Sequence, residues 1–301
     1  MSSVSEGRFP SSSVPSITPG PRRTTLLTGD GVRIEAVYTP CTAGSAPGDG
    51  GAAGRTAVVL AHGFTGAVDR PAVRRAAKVF ARRAAVITFS FRGHGRSGGR
   101  STVGDREVLD LAAAVAWARS LGHRRVVTAG FSMGGSVVLR HAALYAAPGA
   151  AGTDSLPGAE RVVGRVAAHR ERLGAHTDAV VAVSAPARWY YRGTAPMRRL
   201  HWVVTRPAGR FVGRYGFRTR IHREDWDPVP LSPAEAVPLI TAPLLIVHGD
   251  RDPYFPLDHP RMLAAAAGGR AELWIERGMG HAENAADEAL LTRIAHWAAP
   301  A

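Results

Sequence analysis

The sequence predicts an α/β fold: a mostly parallel central sheet, flanked by helices on both faces, with a cap inserted between two of its strands. Three observations carry this expectation. Short, wholly apolar runs such as TAVVLAHG (residues 56–63) and APLLIVHGD (residues 242–250) recur along the chain, as strands buried on both faces do. Amphipathic stretches of helical period separate them, which supplies the crossover that joins one parallel strand to the next. The residues best suited to chemistry fall where apolar runs end, at the carboxyl edge of the sheet, where open α/β sheets build their sites.

Taken in order, residues 1–22 are rich in Ser, Pro and Gly and lack periodicity, so they read as a disordered tail. TTLLTGDGVRIEAVYTP (residues 24–40) gives two short strands around Gly29-Asp30-Gly31, where Asp-Gly supplies the turn. A Gly/Ala loop covers residues 42–54. The first buried strand, 56–63, is followed by a helix at 70–84 with Val73, Ala77, Phe80 and Ala81 on one face. A strand at 85–93 and a helix at 105–121, striped by Val108, Leu111, Ala112 and Val115, come next. RRVVTAGFS (124–132) runs directly into a helix beginning MGGSVVLRHAALY. Further strands are expected at 179–187, 242–250 and 271–276, and a closing helix at 287–298.

Two stretches interrupt the alternation. Residues 146–176 read as a decorated crossover with a helix at 159–173. Residues 188–241 form the larger insertion between two strands, and loops of that length are uncommon in a compact domain unless they serve function. This predicts a cap dividing the core into 23–187 and 242–301. Its aromatic residues are expected to pack it onto the core, with some lining a pocket.

Composition narrows the classes of function. Cys41 is the sole cysteine, which excludes an intrachain disulfide and a thiolate metal cluster. No apolar run reaches the 18 residues of a spanning helix, and the N-terminus lacks a signal-peptide pattern, so a soluble, cytoplasmic protein is expected. The formal charge of +14 comes almost entirely from arginine, with Lys78 the single lysine, alongside an excess of Ala and Gly. That pattern fits a GC-rich codon bias and a solvated basic surface. A dedicated nucleic-acid site is not expected, and weak association with anionic surfaces is. The insertion carries ten arginines between Arg188 and Arg223 and no acid before Glu224. Arg206, Arg210, Arg214 and Arg218 recur every fourth residue, a spacing that would align them on a helix, although Gly209, Gly213 and Gly216 weaken one.

The strongest chemical signal is Gly130-Phe131-Ser132-Met133-Gly134, a G-x-S-x-G between a strand pattern and a helix pattern. A serine lifted clear of the sheet on a sharp turn needs small flanking residues, so that strand and helix can approach. The strand LLIVHGD leads into Gly249-Asp250-Arg251-Asp252, placing carboxylates at the sheet edge. Gly278-Met279-Gly280-His281 then puts a histidine in a flexible turn after the last strand. Serine, acid and histidine thus occur in the order that the nucleophile, the orienting acid and the base take in this architecture. No metal site, phosphate loop or dinucleotide fingerprint is evident, and no cofactor is expected; Gly93-His94-Gly95-Arg96-Ser97-Gly98 opens a polar loop, not a helix.

These motifs, with His62-Gly63-Phe64, Arg92-Gly93-His94-Gly95-Arg96-Ser97 and His248-Gly249-Asp250-Arg251-Asp252, resemble the α/β-hydrolase superfamily over residues 24–299. The likeness is greatest to its monoacylglycerol-lipase-like and serine-aminopeptidase-like branch. The resemblance implies Ser132 as nucleophile, His281 as base and Asp252 as the acid, with Asp250 as the alternative. It implies backbone donors at Phe64 and Met133 for an oxyanion, the latter also expected from its place at a helix start. The family often carries Asp where this chain has Ser90, a departure expected to alter local packing only. The function implied is hydrolysis of a small to medium carboxylic ester, the partner being a small-molecule acyl substrate. An aminopeptidase, amidase or thioesterase would use the same triad, and a ligand-binding receptor could use the same fold.

Overall fold

A computed structural model describes residues 20–42, 56–145 and 174–300. The helix expected at 159–173, residues 1–19 of the tail and residues 43–54 of the Gly/Ala loop lie outside the described residues.

Eight strands form one sheet in the order β1-β2-β4-β3-β5-β6-β7-β8. They are β1 (Arg22–Leu27), β2 (Arg33–Thr39), β3 (Thr56–Ala61), β4 (Ala85–Phe89), β5 (Arg125–Phe131), β6 (Ala179–Val183), β7 (Leu244–Gly249) and β8 (Ala271–Glu276). The hairpin β1–β2 is antiparallel, β2 pairs antiparallel with β4, and the remaining pairs are parallel. Arg22 already pairs with Tyr38, so the first strand begins inside the segment expected to be a tail.

The apolar runs are strands because both of their faces are covered. In β3, Ala57, Val59 and Ala61 point into one core layer and Val58 and Leu60 into the other, following the period of two. Helices α1 (Pro71–Phe80) and, at the far end of the chain, Glu288–Ala298 cover one layer. Helices α2 (Glu107–Ser120) and α3 (Met133–Leu144) cover the other. The closing helix starts on Asp287, whose side chain accepts the Leu290 N–H as an N-cap. Strands end earlier than the apolar runs suggest: β3 stops at Ala61 and β4 at Phe89, and the residues beyond them turn into loops at the sheet edge.

Between β6 and β7 the chain forms α4 (Ala195–Thr205), α5 (Pro207–Tyr215) and a short α6 (Pro233–Ala236). The arginines spaced by four do not share one helix. Arg206 is extended between α4 and α5, because the residue before Pro207 is pushed out of helical conformation, and Arg218 lies beyond α5 at φ 55°. Several insertion arginines instead donate to backbone oxygens, Arg210 to Thr205 at 2.7 Å and Arg220 to Ser97. Backbone bonds from Ser101 N–H to Arg220 O (2.7 Å) and from His222 N–H to Ser101 O (2.8 Å) fasten the segment to the loop after β4. Trp226 donates its indole N–H to Thr102 O at 2.7 Å, as expected of an anchoring aromatic. Trp202 on α4, Phe211 and Tyr215 on α5, and Phe217 just beyond it depart from that expectation and remain 41–64% exposed.

Candidate active site

Three strand ends converge. After β5 the chain reverses sharply into α3 at Ser132, with φ 52° and ψ −115°, a conformation rare for any residue but glycine and a store of local strain. The Ser132 N–H bonds to Val183 O of β6 at 2.9 Å, which holds the turn against the sheet. Gly130 is required here, since a Cβ on it would lie 2.1 Å from Gly134 O.

Helix α7 (Asp258–Ala266) connects β7 to β8, and the loop before it carries Asp252. Arg251 N–H donates to Met279 O at 3.0 Å, tying this loop to the turn after β8. That turn delivers His281 at the head of α8 (Ala282–Ala285), with the closing helix following as α9.

The side chains meet in a line. Ser132 Oγ lies 2.8 Å from His281 Nε2, and His281 Nδ1 lies 2.7 Å from Asp252 Oδ2. The other oxygen of Asp252, Oδ1, accepts the N–H groups of Tyr254 (2.8 Å) and Phe255 (3.1 Å). Burial raises the Asp252 pKa, but the hydrogen bond and charge of His281 and these backbone donors prevail and hold it below the usual carboxylate range. Asp252 is therefore ionised at neutral pH although its side chain is fully buried. Tyr254 packs on the His281 ring, 4.3 Å between centroids, and limits its rotation. Asp250, the alternative acid, is exposed and accepts the Gly278 N–H at 2.6 Å, a bond from the loop after β7 to the turn that presents His281.

A second group of contacts fixes the loop after β3. His62 Nδ1 lies 2.6 Å from Gly63 O, and His62 Nε2 accepts the Phe91 N–H at 3.0 Å. Burial holds the His62 pKa down to about 3, so the ring is neutral and can play donor and acceptor at once. His94 Nε2 contacts Phe64 O, and the Gly63 N–H donates to Glu283 Oε1 at 3.1 Å. Met133 opens α3, so its N–H is among the first-turn donors without an intrahelical acceptor. Phe64 and Met133 both line the cavity that Ser132 faces.

Glu283 is the residue that motif reading missed. It is 95% buried on α8, and its carboxylate reaches across to the Gly63 backbone. Its signal was a charged residue two positions after His281, but the partner is 220 residues away in sequence. Ser184 was missed too: its Oγ accepts the Ala282 N–H at 3.0 Å, steadying the start of α8.

The Arg-Gly-His-Gly segment has a structural part. Arg92 is buried and forks onto Asp110 (2.8 Å) and Asp30 (2.7 Å), joining α2 to the hairpin turn. Ser90 accepts the Val68 N–H at 3.1 Å and donates to Glu35 at 3.2 Å, so β2 supplies a carboxylate beside this serine.

The cavity encloses about 160 Å³ and lies between Ser132 and the 188–241 segment. Met197, Leu200 and Val204 of α4 and Trp226 make much of its wall. Among the described residues no group of His, Cys, Asp and Glu is arranged to hold a metal ion, and no helix is long and apolar enough to cross a membrane.

A family model described as the alpha/beta hydrolase family matches residues 58–291. The chain belongs to this family. No curated protein matches the sequence significantly. Among solved structures, an esterase of Pyrococcus furiosus is similar at 20% identity, TM-score 0.63, with 92% of this chain and 91% of that one covered. A serine hydrolase of Xanthomonas campestris, described as lacking a lid, is similar at 16% identity, TM-score 0.56, with 98% and 99% covered. A Butyrivibrio proteoclasticus protein with ferulic acid bound is similar at 17% identity, TM-score 0.56, with 90% and 96% covered. At these identities the likeness carries the fold, an eight-stranded, mostly parallel sheet with flanking helices, and the family match carries membership.

Proposed function

We propose that this hydrolase cleaves small to medium carboxylic esters through an acyl-enzyme on Ser132. The observation that carries the reading is the unbroken line of hydrogen bonds from Ser132 through His281 to Asp252, with distances of 2.8 and 2.7 Å.

In the first half-reaction His281 Nε2 accepts the Ser132 proton as Oγ bonds to the acyl carbon, and the carbonyl electron pair moves onto oxygen. The backbone N–H groups of Phe64 and Met133 receive that oxyanion, held in place beforehand by the Glu283, His62 and His94 contacts. When the tetrahedral adduct collapses, His281 returns the proton to the departing alkoxide. Water then attacks the acyl-enzyme by the same route and releases the acid. Ionised Asp252 keeps the proton of neutral His281 on Nδ1, leaving Nε2 free to accept, and stabilises the imidazolium that follows.

The 188–241 segment serves as a cap. It walls a cavity of about 160 Å³, close to the roughly 150 Å³ that holds a benzene ring in an apolar protein cavity. That size suits a short acyl chain or a single ring, with the leaving group directed to solvent. Esterase structures among the similar folds support the reading. The test is hydrolysis of p-nitrophenyl acetate, butyrate and decanoate. Butyrate should be turned over faster than decanoate, and Ser132→Ala should remove the activity. Equal rates for wild type and Ser132→Ala would reject the proposal.

A further inference from the structure

Helix α4 has two unlike faces. Met197, Leu200 and Val204 recur at helical spacing and line the cavity. Arg198, Arg199 and Trp202 lie on the other side and line an open groove. Helix α5 repeats the division. Its Gly209 and Gly213 are buried, and a Cβ on them would lie 2.3 Å from Trp202 O and 3.1 Å from Ile221 Cδ1, so this edge is where the helix packs. Phe211 and Tyr215, one turn apart on the other edge, are exposed, with their ring centroids 4.5 Å apart.

Of the nine large apolar side chains exposed among the described residues, five fall between Trp202 and Phe217, which makes a patch and not a scatter. Its charge is equally one-sided. Arg198, Arg199, Arg206, Arg214 and Arg218 are exposed around it, and the Arg214 guanidinium stands over the Tyr215 ring at 5.4 Å. Of the ten insertion arginines only Arg188 reaches a carboxylate among the described residues, that of Asp258 at 2.7 Å. The acids that follow, Glu224 and Asp225, line the cavity instead. Nucleic acid would answer the charge and leave the apolar side chains in water. The interfacial zone of a bilayer takes both, with aromatic rings at headgroup level and guanidinium groups against phosphate.

We propose that the outer face of α4 and α5 is a docking surface for anionic lipid bilayers, with Trp202, Phe211 and Tyr215 at headgroup depth and the surrounding arginines on lipid phosphates. The contact is peripheral, since no helix among the described residues is long and apolar enough to cross a membrane. A helix is about 10 Å across, so a docked chain holds its cavity about that far from the lipid.

The test is co-sedimentation of the full chain with vesicles of phosphatidylcholine alone or mixed with phosphatidylglycerol at about 2:1, together with binding to a single-stranded oligonucleotide. The mixed vesicles should bind the chain about tenfold or more tightly than the neutral ones, and less as salt rises. Phe211→Ser/Tyr215→Ser and Arg199→Glu/Arg214→Glu should each weaken that binding about tenfold while p-nitrophenyl acetate hydrolysis and circular dichroism stay as in wild type. Lys78→Glu/Arg124→Glu makes the same change of net charge at the amino edge of the sheet, away from the cap, and should weaken binding clearly less. Equal losses for the two charge reversals, or no vesicle binding by the folded wild type, overturn the proposal. Tighter binding to the oligonucleotide, lost with the same cap variants, overturns it in favour of nucleic acid. Vesicle binding is read without any substrate, so its failure leaves the ester reading untouched.

Discussion

Replacing Asp252 by Asn isolates what its carboxylate does, because the geometry dictates how an amide must sit there. The N–H groups of Tyr254 and Phe255 both point at Oδ1, at 2.8 and 3.1 Å, so an amide at this position keeps its oxygen on that side. Its NH₂ must then face His281 Nδ1, now 2.7 Å from Asp252 Oδ2. A donor in that place favours the tautomer with the proton on Nε2, which cannot take a proton from Ser132. The imidazolium formed during attack also loses its counter-charge. The same change in another serine triad lowers turnover by about 10⁴, or about 5.5 kcal/mol of barrier. We expect Asp252→Asn to lose kcat by about that factor. Asp250→Asn should lose less than about tenfold, since exposed Asp250 makes a single hydrogen bond to the Gly278 N–H, worth about 1 kcal/mol. The assay is burst-titrated kcat on p-nitrophenyl butyrate, with thermal melts confirming that both variants fold. Losses of equal size at the two positions would refute the tautomer argument.

Three further outcomes follow from the same contacts. Glu283→Ala leaves the Gly63 N–H buried without an acceptor and should lower kcat about tenfold or more with little change in KM, whereas Glu283→Gln, which keeps an acceptor, should recover most of it; kcat and KM for the two variants decide. Burial holds His62 to about 3 and His259 to about 4, so below pH 6.5 the unfolded chain takes up protons that the folded chain excludes. Stability should therefore be full above pH 6.5 and fall as the pH drops toward 4, by up to about 1.4 kcal/mol per unit for each histidine; His259→Asn, which can still accept the Ala187 N–H, should flatten the slope of Tm between pH 7 and 5. Gly130→Ala should yield little folded protein, since the new Cβ would meet Gly134 O at 2.1 Å, and soluble yield with circular dichroism measures this.

Much of the sheet was legible because its inner strands β3 to β7 are buried on both faces and read as unbroken apolar runs, while the half-exposed edge strand β8 reads by its alternation. AELWIE coincides with β8, while the runs at 56–63 and 85–93 overshoot their strands. The overshoot has a reason: the residues after Ala61 and Phe89 are also buried, now as loop residues packed beneath the site, and burial alone does not distinguish them from strand. The arginine spacing of the insertion suggested one helical face, but Pro207 divides the segment into two helices, and local chain chemistry outweighed the periodicity.

At the site, the residues that meet were legible because each belongs to a short local pattern. Their supports were not. Glu283 acts on a backbone N–H at the other end of the chain, and Ser184 acts through a hydroxyl on a neighbouring strand end. Neither contact leaves a local trace.

The most direct measurement of the central claim is covalent labelling with a fluorophosphonate, read by mass spectrometry of the intact protein and its peptides. The account predicts one adduct per chain, on the peptide containing Ser132, formed in step with the loss of ester hydrolysis and absent in Ser132→Ala. A folded protein that hydrolyses esters yet takes no adduct at Ser132, or takes it at another residue, would contradict the account.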